Sequence, residues 1–310
     1  MSKIYVIGDL ILDEYWDGDI FRMSQEAPVP IYKKNKHDSY KLGGAGNVAL
    51  NVKALGEDVV LVSPLSRDSG GEILQELLEE NKITLLRQGS NSETIRKIRV
   101  QTSQQQIIRI DNDYEQTPIS KELYYSLLSV VTKDDVVIVS DYGKGSIDGN
   151  LVPFIRELKN FGIKNVIDPK GVKVDVYRDA FLIKPNLIEL KKFSDKANYS
   201  NSAMIQIKEA YKFSNMLLTL GAEGMILLEE DLSITRIDAI ESPIFDATGV
   251  GDNISAAIAV ALLRGYSLAK SCQYANIVAS MAIMHKGCHA VNLNDLSSVQ
   301  DKLSIIGVVE

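Results

Sequence analysis

The chain has 310 residues, of which 45% are hydrophobic and 24% are charged, and its formal net charge is −7 with a pI of about 5.2. These values are typical of a globular protein with one large α/β domain or two smaller ones. The acidic balance argues against a broad nucleic-acid-binding or anionic-membrane surface, although a local basic pocket remains compatible with it. We therefore expect neither a nucleic-acid nor a membrane partner.

Cysteine and histidine usage suggests no disulfide framework and no metal motif. The residues concerned are Cys272, Cys288, His37, His285 and His289. Two cysteines alone fit a reducing compartment. His285 and His289 are four residues apart, but Gly287 between them disfavours a metal-binding helix face. The N-terminal apolar run Ile4–Ile7 is too short for a signal peptide, so we expect a buried first strand and a cytoplasmic protein.

After this strand, the chain alternates short apolar runs with helical patterns. Further strands are predicted at Val59–Val62, Val136–Ser140, Asn165–Ile167, Phe181–Ile183 and Met216–Thr219. Helices are predicted at Ala45–Leu55, Glu72–Asn81, Lys121–Val131, Leu151–Phe161, Asn201–Phe213, Gly251–Arg264 and Leu268–Met284. The alternation predicts βαβ units in a mostly parallel sheet, with ligands beyond the carboxyl ends of the strands. Because no linker or repeat interrupts the pattern, we predict one domain over residues 1–310.

Two segments, roughly 13–40 and 92–111, break this alternation. The first contains Pro28 and Pro30, and in the second Thr94–Val100 alternates apolar and polar residues as a half-exposed strand does. A turn-like stretch and Ile107–Ile110 follow. We predict a small antiparallel β lid over the active site, and a solvated surface hairpin is the alternative.

A glycine-rich turn precedes a buried, alanine-rich helix near the C-terminal end. It reads Asp246-Ala247-Thr248-Gly249-Val250-Gly251-Asp252-Asn253. Unpaired N–H groups at such a helix start, together with the helix dipole, form an anion site. A carboxylate beside a phosphoryl group can accept the proton of an attacking alcohol, so Asp252 is a candidate base, which we expect to be firmly ionised and hence weak. The alternative is that Asp252 is an ordinary helix-start residue.

Two polar elements near the N-terminus suit a sugar. Carboxylates after the first strand, including Asp13, can each accept two sugar hydroxyl groups. Gly43 and Gly44 let a ligand approach the backbone closely, and Asn47 offers both a donor and an acceptor. A solvated loop and tight helix packing are the respective alternatives.

Together, these motifs resemble those of the ribokinase-like, or PfkB, sugar kinases. The C-terminal stretch is similar to Asp-x-Thr-Gly-Ala-Gly-Asp, with Val250 replacing Ala, and the N-terminal one to Gly-Gly-x-x-Asn. The resemblance covers essentially the whole chain and implies a three-layer α/β sandwich with a mostly parallel central sheet and a small β lid. It implies that Asp252 is the catalytic base and that Gly249, Val250 and Gly251 form the anion hole. It also implies that Asp13, Gly43, Gly44 and Asn47 bind the sugar.

Finer matches resemble one branch, the bacterial heptose 7-phosphate kinases. These matches are Met23–Pro30, Gly8-Asp9, Leu12-Asp13, Ser140–Gly145, Asp168–Gly171 and Pro185–Glu189. Members phosphorylate the anomeric hydroxyl of D-glycero-D-manno-heptose 7-phosphate for lipopolysaccharide core synthesis. The resemblance adds Asp141 to the substrate-binding residues. Alternation places Lys97 and Arg99 on one lid face, and with Arg109 they are our candidates for the distal phosphate, which needs cationic partners.

The resemblance also implies an ATP site with Mg²⁺. Asn186 and Glu189 match residues that hold Mg²⁺ through water, and a capping box at a helix start is the competing interpretation. The remaining matched ATP-binding residues are Thr219, Gly221, Gly224 and Asn276. The first three belong to a glycine-rich turn, Thr219–Gly224, that we predict joins two strands, and a plain hairpin is the alternative. Asp246 and Thr248 match residues that hold a monovalent cation, K⁺, in some members.

Two other functions stay open from the sequence. One is a kinase of a different sugar or sugar phosphate, and the other is a non-catalytic sugar or nucleotide sensor. A Rossmann dehydrogenase is disfavoured because Gly8-Asp9-Leu10-Ile11 lacks the Gly-x-Gly-x-x-Gly fingerprint. An exposed lid strand would favour a homodimer formed through the lid.

Overall fold

A computed structural model describes residues 2–170, 173–194 and 199–308, and for Lys36 and His37 only the backbone. Within these ranges the strands are β1 (Ile4–Gly8), β2 (Leu10–Met23), β3 (Pro30–Gly44), β4 (Val59–Ser66), β5 (Thr84–Ser90), β6 (Arg96–Gln101), β7 (Gln106–Asn112), β8 (Val136–Ser140), β9 (Lys164–Asp168), β10 (Leu182–Ile183), β11 (Asn215–Thr219), β12 (Met225–Leu228) and β13 (Ile234–Ile237). The helices are α1 (Ala45–Ala54), α2 (Ser69–Glu80), α3 (Lys121–Leu128), α4 (Leu151–Asn160), α5 (Leu187–Phe193), α6 (Asn201–Tyr211), α7 (Val250–Leu263), α8 (Leu268–Ala282), α9 (Leu293–Ser297) and α10 (Gln300–Ile305).

The main sheet has nine strands in the order β13-β12-β11-β10-β9-β8-β1-β4-β5. The pairs from β11 to β5 are parallel, and β12 and β13 add to one edge in antiparallel fashion. Because successive side chains of a strand face opposite ways, Ile4 and Val6 enter one apolar cluster, while Tyr5 and Ile7 enter the other. The protein is therefore an α/β/α sandwich, as predicted.

Each face of the sheet is covered by its own helices. Residues of α1, α2, α7 and α8 contribute to the first cluster, and residues of α3, α4, α5 and α6 contribute to the second. Helix α7 is almost fully buried because its alanine-rich face lets α1 and α8 approach closely. None of the helices in the described ranges is both long and apolar enough to cross a membrane.

The lid is a separate four-stranded sheet with the order β3-β2-β6-β7. Our prediction of an entirely antiparallel lid is wrong in one pair, because β2 and β6 are parallel. Strand β2 follows β1, and β6 follows β5. Both therefore start at the carboxyl edge of the parallel strands and run away from the main sheet in the same direction. The lid thus stands above the edge where the site was expected.

The predicted elements agree with the observed ones to within a few residues at their ends. Strand β5 was not predicted, because Thr84–Ser90 contains Arg87, Gln88 and Gly89 and lacks a clear apolar run. Strand β13, which pairs with β12 in antiparallel fashion at the sheet edge, was not predicted either. Gly171 of the matched Asp168–Gly171 segment lies outside the described residues.

Candidate active site

The site is built around the first turn of α7. Its N-cap, Gly249, has φ 79°, a left-handed conformation that favours glycine. A Cβ at this position would lie 3.0 Å from the Cys288 sulfur and 3.3 Å from the Asn47 Nδ2. Only glycine therefore allows the chain to turn into α7 while the loop with Cys288 and helix α1 pack against it.

Asp252, in that turn, is buried and held by two donors from other parts of the chain. Its Oδ2 accepts a hydrogen bond from Asn47 Nδ2 at 2.6 Å, and its Oδ1 accepts one from the Tyr142 hydroxyl at 2.8 Å. Asn47 therefore contacts the candidate base in this structure, whereas the sequence analysis assigned it to the sugar. These two bonds fix the direction in which the carboxylate faces.

The protonation behaviour of Asp252 differs from our prediction. Burial and the nearby Asp168 raise the pKa of its carboxyl group, and the opposing effects of Lys170, Asn47 and Tyr142 are smaller. The shift is opposite to the one expected for a carboxylate at a helix start, because burial destabilises the charged form more than the helix start stabilises it. A raised pKa makes Asp252 a stronger base.

Some backbone amides of the turn are already hydrogen-bonded within the chain, so only the others can bind an anion. The amide of Val250 donates to the carbonyl of Ala247 at 3.4 Å, and that of Asp252 donates to the carbonyl of Gly249 at 3.0 Å. The Gly251 amide makes no hydrogen bond to any part of the chain that the structure describes. The Gly249 amide likewise has no partner within the described residues, so Gly249 and Gly251 carry the available donors of the predicted anion hole.

Tyr142 is positioned by a buried carboxylate at the end of β1. Asp9 accepts hydrogen bonds from the amides of Tyr142 at 2.8 Å, Lys144 at 3.2 Å and Ser146 at 3.1 Å, and also from the Ser146 hydroxyl. These bonds shape the loop after β8 and direct Tyr142 towards Asp252. Asp9 and Tyr142 both lie in segments that resemble the heptose 7-phosphate kinases, but neither was assigned a role from sequence. The signal that could have found them is their position directly after predicted strands.

Two lysines face the ring of Tyr142. The ammonium groups of Lys170 and Lys97 lie 4.1 and 5.0 Å from the ring centroid. Burial lowers the pKa of Lys97, whereas Asp168 and Asp252 outweigh burial and raise that of Lys170. Lys97 is one of the predicted lid residues, and Lys170, which follows β9, was missed. The two cations border the space next to Asp252.

Asp13 and Arg99 form a buried ion pair at the base of the lid. The Arg99 Nη1 lies 2.7 Å from the Asp13 Oδ1. A Cβ at Gly43 would lie 2.8 Å from the Asp13 Oδ2, so the glycine makes room for this carboxylate. Gly44 instead begins α1, with φ 58° and a close approach to the carbonyl of Asp9.

Two predicted substrate-binding residues, Arg109 and Asp141, have partners other than Asp252 in this structure. Arg109, on the edge strand β7, is half-exposed and forms a bidentate pair with Asp111 at 2.7 and 2.8 Å. Asp141 lines a second cavity of about 520 Å³ and accepts hydrogen bonds from the Tyr177 hydroxyl and the Gly143 amide. Burial and the nearby Asp9 raise the pKa of Asp141 to about 6.

A larger cavity of about 550 Å³ lies on the other side of the Gly251 turn. Its lining includes all six predicted ATP-binding residues, Asn186, Glu189, Thr219, Gly221, Gly224 and Asn276. Gly221 and Gly224, with φ 61° and 87°, form the turn between β11 and β12, as predicted. This volume is within the usual range of small-molecule sites. The cavity and the Asp252 site thus meet at Gly251.

The polar end of this cavity is lined by Asp168, Glu189 and two lysines, Lys170 and Lys184. Lys184 pairs with Asp168 at 3.1 Å, and both side chains are buried. Asn186 and Glu189 form the capping box of α5, in which the Glu189 Oε2 accepts the Asn186 amide at 2.8 Å. Burial and Asp168 raise the pKa of Glu189. Both interpretations of this pair therefore remain compatible, since Glu189 caps the helix and also lines the cavity.

Asp246 and Thr248 form a tight turn before α7. The Thr248 amide and hydroxyl donate to the Asp246 Oδ1 at 2.9 and 2.7 Å, and the Gly287 amide donates to the Asp246 Oδ2 at 2.8 Å. These bonds outweigh burial and lower the pKa of Asp246. The carboxylate is thus firmly ionised, as a cation site requires.

Comparison with known proteins identifies the family. The model of the pfkB family of carbohydrate kinases matches residues 1–295. The chain belongs to this family. The kinase is 35% identical over 300 residues to the bifunctional protein HldE of Hydrogenovibrio crunogenus and 31% identical over 302 residues to that of Haemophilus influenzae. These matches cover 95% and 96% of the kinase but only 62% and 63% of the relatives. The chain therefore spans less than two thirds of the relatives' length.

Solved structures confirm the ribokinase-like fold of the kinase. The phosphofructokinase-2 of Escherichia coli in complex with potassium has a TM-score of 0.82 at 17% identity, covering 98% of the kinase and 100% of that chain. The ribokinase of Arabidopsis thaliana, complexed with ribose and ATP, has a TM-score of 0.75 at 20% identity, covering 98% and 99%. At these identities the likeness concerns the fold alone.

Proposed function

We propose that this kinase transfers the γ-phosphoryl group of ATP to the anomeric hydroxyl of D-glycero-D-manno-heptose 7-phosphate. The product would be the 1,7-bisphosphate, a precursor for ADP-heptose and lipopolysaccharide core synthesis. The observation that carries the proposal is the position of Asp252. This buried carboxylate lies between two regions. On one side is the cavity lined by Gly251, and on the other is the lid, which carries Lys97. The heptose substrate is supported by the segments that resemble heptose 7-phosphate kinases and by relatives named HldE.

The residues around Asp252 suit the removal of a proton from an alcohol. Asn47 and Tyr142 direct the carboxylate, and its raised pKa favours proton acceptance from a sugar hydroxyl bound next to it. The Gly251 amide, at the positive end of the α7 dipole, is oriented to stabilise an incoming phosphoryl group. Lys170, adjacent to both sites, can add positive charge there. Positioning and charge stabilisation dominate catalysis of this reaction class.

The larger cavity fits a nucleotide with Mg²⁺. Glycines and apolar residues such as Ile240 and Ile283 line one part of the cavity, and Lys184, Asp168 and Glu189 line the other. Carboxylate and water oxygens are the ligands that Mg²⁺ prefers, so Glu189 and Asn186 are the residues that would hold it. Bound Mg·ATP would supply the phosphoryl group and reduce its charge. Asp246, with Thr248, would hold a monovalent cation such as K⁺.

The lid carries the selectivity for a phosphorylated sugar. Lys97 is partly buried, and no salt bridge joins it to a carboxylate in the part of the chain that the structure describes. Its partial burial lowers the pKa of the ammonium group, which would therefore gain from pairing with a ligand phosphate. Arg99 is already paired with Asp13, so it would orient Asp13 towards sugar hydroxyls.

A panel of paired substrates tests this assignment. ATP consumption is measured with heptose 7-phosphate, heptose, fructose 6-phosphate, fructose and ribose, and the product is identified by NMR. We expect turnover on heptose 7-phosphate with a new phosphate on the anomeric carbon. Turnover on only a non-phosphorylated sugar would overturn the heptose phosphate assignment and favour the alternative, a kinase of another sugar. ATP binding without turnover on any sugar would favour a sensor.

Lys97→Ala separates the lid's role from that of the catalytic centre. Losing one phosphate contact is expected to raise the KM for heptose 7-phosphate at least about tenfold, with little change in the KM for ATP. Arg109→Ala is the matched control, since Arg109 is exposed and paired with Asp111. Equal effects of both substitutions would contradict the assignment to Lys97.

We also propose that the protein self-associates through the lid and that it is cytoplasmic. Strands β3 and β7 end the lid sheet without a neighbouring strand within the described ranges. Large apolar side chains are exposed on the lid strands and the β2–β3 connection, namely Ile20, Phe21, Met23, Val29, Ile108 and Ile110. Open edges and exposed apolar side chains together favour a second copy as the partner.

A further inference from the structure

Two histidines and an aspartate converge in the segment that follows α8. The imidazole rings of His285 and His289 are stacked, with centroids 3.8 Å apart and planes inclined by 21°. Asp295, on α9, brings its Oδ2 to 3.1 Å from the His289 Nε2. One donor atom from each of the three side chains lies within 4.8 Å of the other two. Gly287 made a metal-binding helix face unlikely from the sequence, but the loop brings the two histidines together without a helix.

We propose that His285, His289 and Asp295 form a site for a divalent transition metal ion of the Zn²⁺ class. Two imidazole nitrogens and one carboxylate oxygen form a donor set that suits Zn²⁺ and other transition metals whose sites keep an open coordination position. The same set is poorly suited to Mg²⁺. Donors at about 2.1 Å from a tetrahedral ion lie roughly 3.4 Å apart. Because the two rings are stacked, their nitrogen lone pairs lie in nearly parallel planes, so one imidazole must turn out of the stack before both can bind one ion. The partial exposure of the side chains permits this rotation.

The surroundings hold these donors in place. The Asp295 Oδ2 accepts the Asn292 amide at 2.9 Å in the capping box of α9, whereas Oδ1 has no hydrogen bond within the described residues. The His289 carbonyl accepts the side-chain amide of Asn253 at 3.1 Å. Backbone and second-layer bonds of this kind orient ligands before a metal arrives.

The site lies directly behind the turn that carries Asp252. Asn253 is the next residue in α7, the Gly287 amide bonds to Asp246, and Cys288 packs on the Gly249 position. A metal held by His285, His289 and Asp295 would fasten this loop to α9. Its binding should therefore stabilise the folded protein measurably, independently of any sugar or nucleotide.

Calorimetric titration of chelator-treated protein with ZnCl₂ tests the proposal. We expect one Zn²⁺ per chain, bound at least about tenfold more weakly after His285→Ala or His289→Ala, and unaffected by millimolar Mg²⁺. His37→Ala, which removes the chain's third histidine, is the control and should bind as the wild type does. The melting temperature should rise with Zn²⁺ in the wild type and not in the His285→Ala/His289→Ala double variant. Equal binding by the wild type and the double variant would overturn the site.

Absorption of the Co²⁺-loaded protein identifies the ligands. Visible bands without a thiolate-to-metal transition are expected for the nitrogen and oxygen set. A strong thiolate transition that disappears in Cys288→Ser would place Cys288 among the ligands and contradict the proposed set. Asp295→Asn keeps a capping oxygen for α9 while removing the charge, so weaker binding by this variant supports a direct role of the carboxylate.

Discussion

Tyr142 and Asn47 occupy both carboxylate oxygens of Asp252, so the candidate base is oriented before any substrate arrives. Burial raises the pKa of the Tyr142 hydroxyl well above its ordinary value, and the group is therefore a neutral donor over the working pH range. Its hydrogen bond lowers the pKa of Asp252, against the larger effect of burial. Tyr142 is thus a positioning residue that also tunes the base.

Tyr142→Phe should reduce kcat about tenfold while leaving the KM for ATP nearly unchanged. Without the donor, the pKa of Asp252 rises further, so the acid limb of the kcat/KM profile should move to higher pH. Tyr124→Phe is the matched control, because the Tyr124 hydroxyl is buried and has no hydrogen-bond partner in the described ranges. An unchanged acid limb in Tyr142→Phe would contradict this role.

Asp141 makes a separate, pH-dependent contribution to stability. Its pKa is raised from 3.8 to about 6, so the folded protein binds this proton more tightly than the unfolded chain. The free energy of unfolding should therefore fall as pH rises from about 4 to about 6. Asp141→Asn removes this dependence, so the variant should gain roughly 2–3 kcal/mol relative to the wild type across that interval. Denaturant unfolding at both pH values measures it, and a constant difference would contradict the raised pKa.

At the scale of elements, the first turn of α7 joins the two halves of the site. Gly249→Ala should destabilise the protein by about 1–2 kcal/mol, the usual cost of a left-handed conformation for a residue with a Cβ. It should also lower turnover at least about tenfold, because the added methyl group presses on Cys288 and Asn47. Gly265→Ala, just beyond the other end of α7, has φ 83° with no atom within 4 Å of the added Cβ. This control should lose similar stability but keep its turnover, and equal activity losses would contradict the explanation.

The lid shows which parts of an element a sequence pattern can predict. Alternation in Thr94–Val100 predicted a strand, and the structure places β6 there. Pairing partners follow from topology instead, so the parallel β2–β6 pair was missed. Arg109 illustrates the same point, since its charge suggested a phosphate ligand while its position on edge strand β7 gives it Asp111 as a partner.

At the scale of the whole molecule, alternation of apolar runs and helical patterns predicted βαβ units in a mostly parallel sheet, because helices must cover both faces of such a sheet. The three-layer sandwich with its β lid followed from the resemblance to the ribokinase-like kinases. The glycine turn at 249–251 and the candidate base Asp252 were also accessible from sequence. Asp9, Tyr142 and Lys170 were not assigned roles, because their contacts join segments that are far apart in the chain. The raised pKa of Asp252 likewise depends on burial that only the folded chain creates.

The oligomeric state is also a property of the whole molecule. We expect the protein to be a dimer in light scattering and Phe21→Asp to make it monomeric, because Phe21 is 71% exposed on the lid. Phe161→Asp changes a similarly exposed phenylalanine, 58% exposed at the end of α4, and should leave the dimer intact. A dimer that survives Phe21→Asp but not Phe161→Asp would place the interface elsewhere.

The most direct test of the account compares Asp252→Asn with the wild type in ATP-dependent phosphorylation of heptose 7-phosphate, followed by ³¹P NMR. The substitution keeps the side-chain shape and removes the proton acceptor, and unfolding curves confirm that both proteins are folded. The account predicts a 1,7-bisphosphate product for the wild type and turnover lower by at least about two orders of magnitude for Asp252→Asn. A folded Asp252→Asn enzyme with near wild-type turnover would contradict the role of Asp252 as the base.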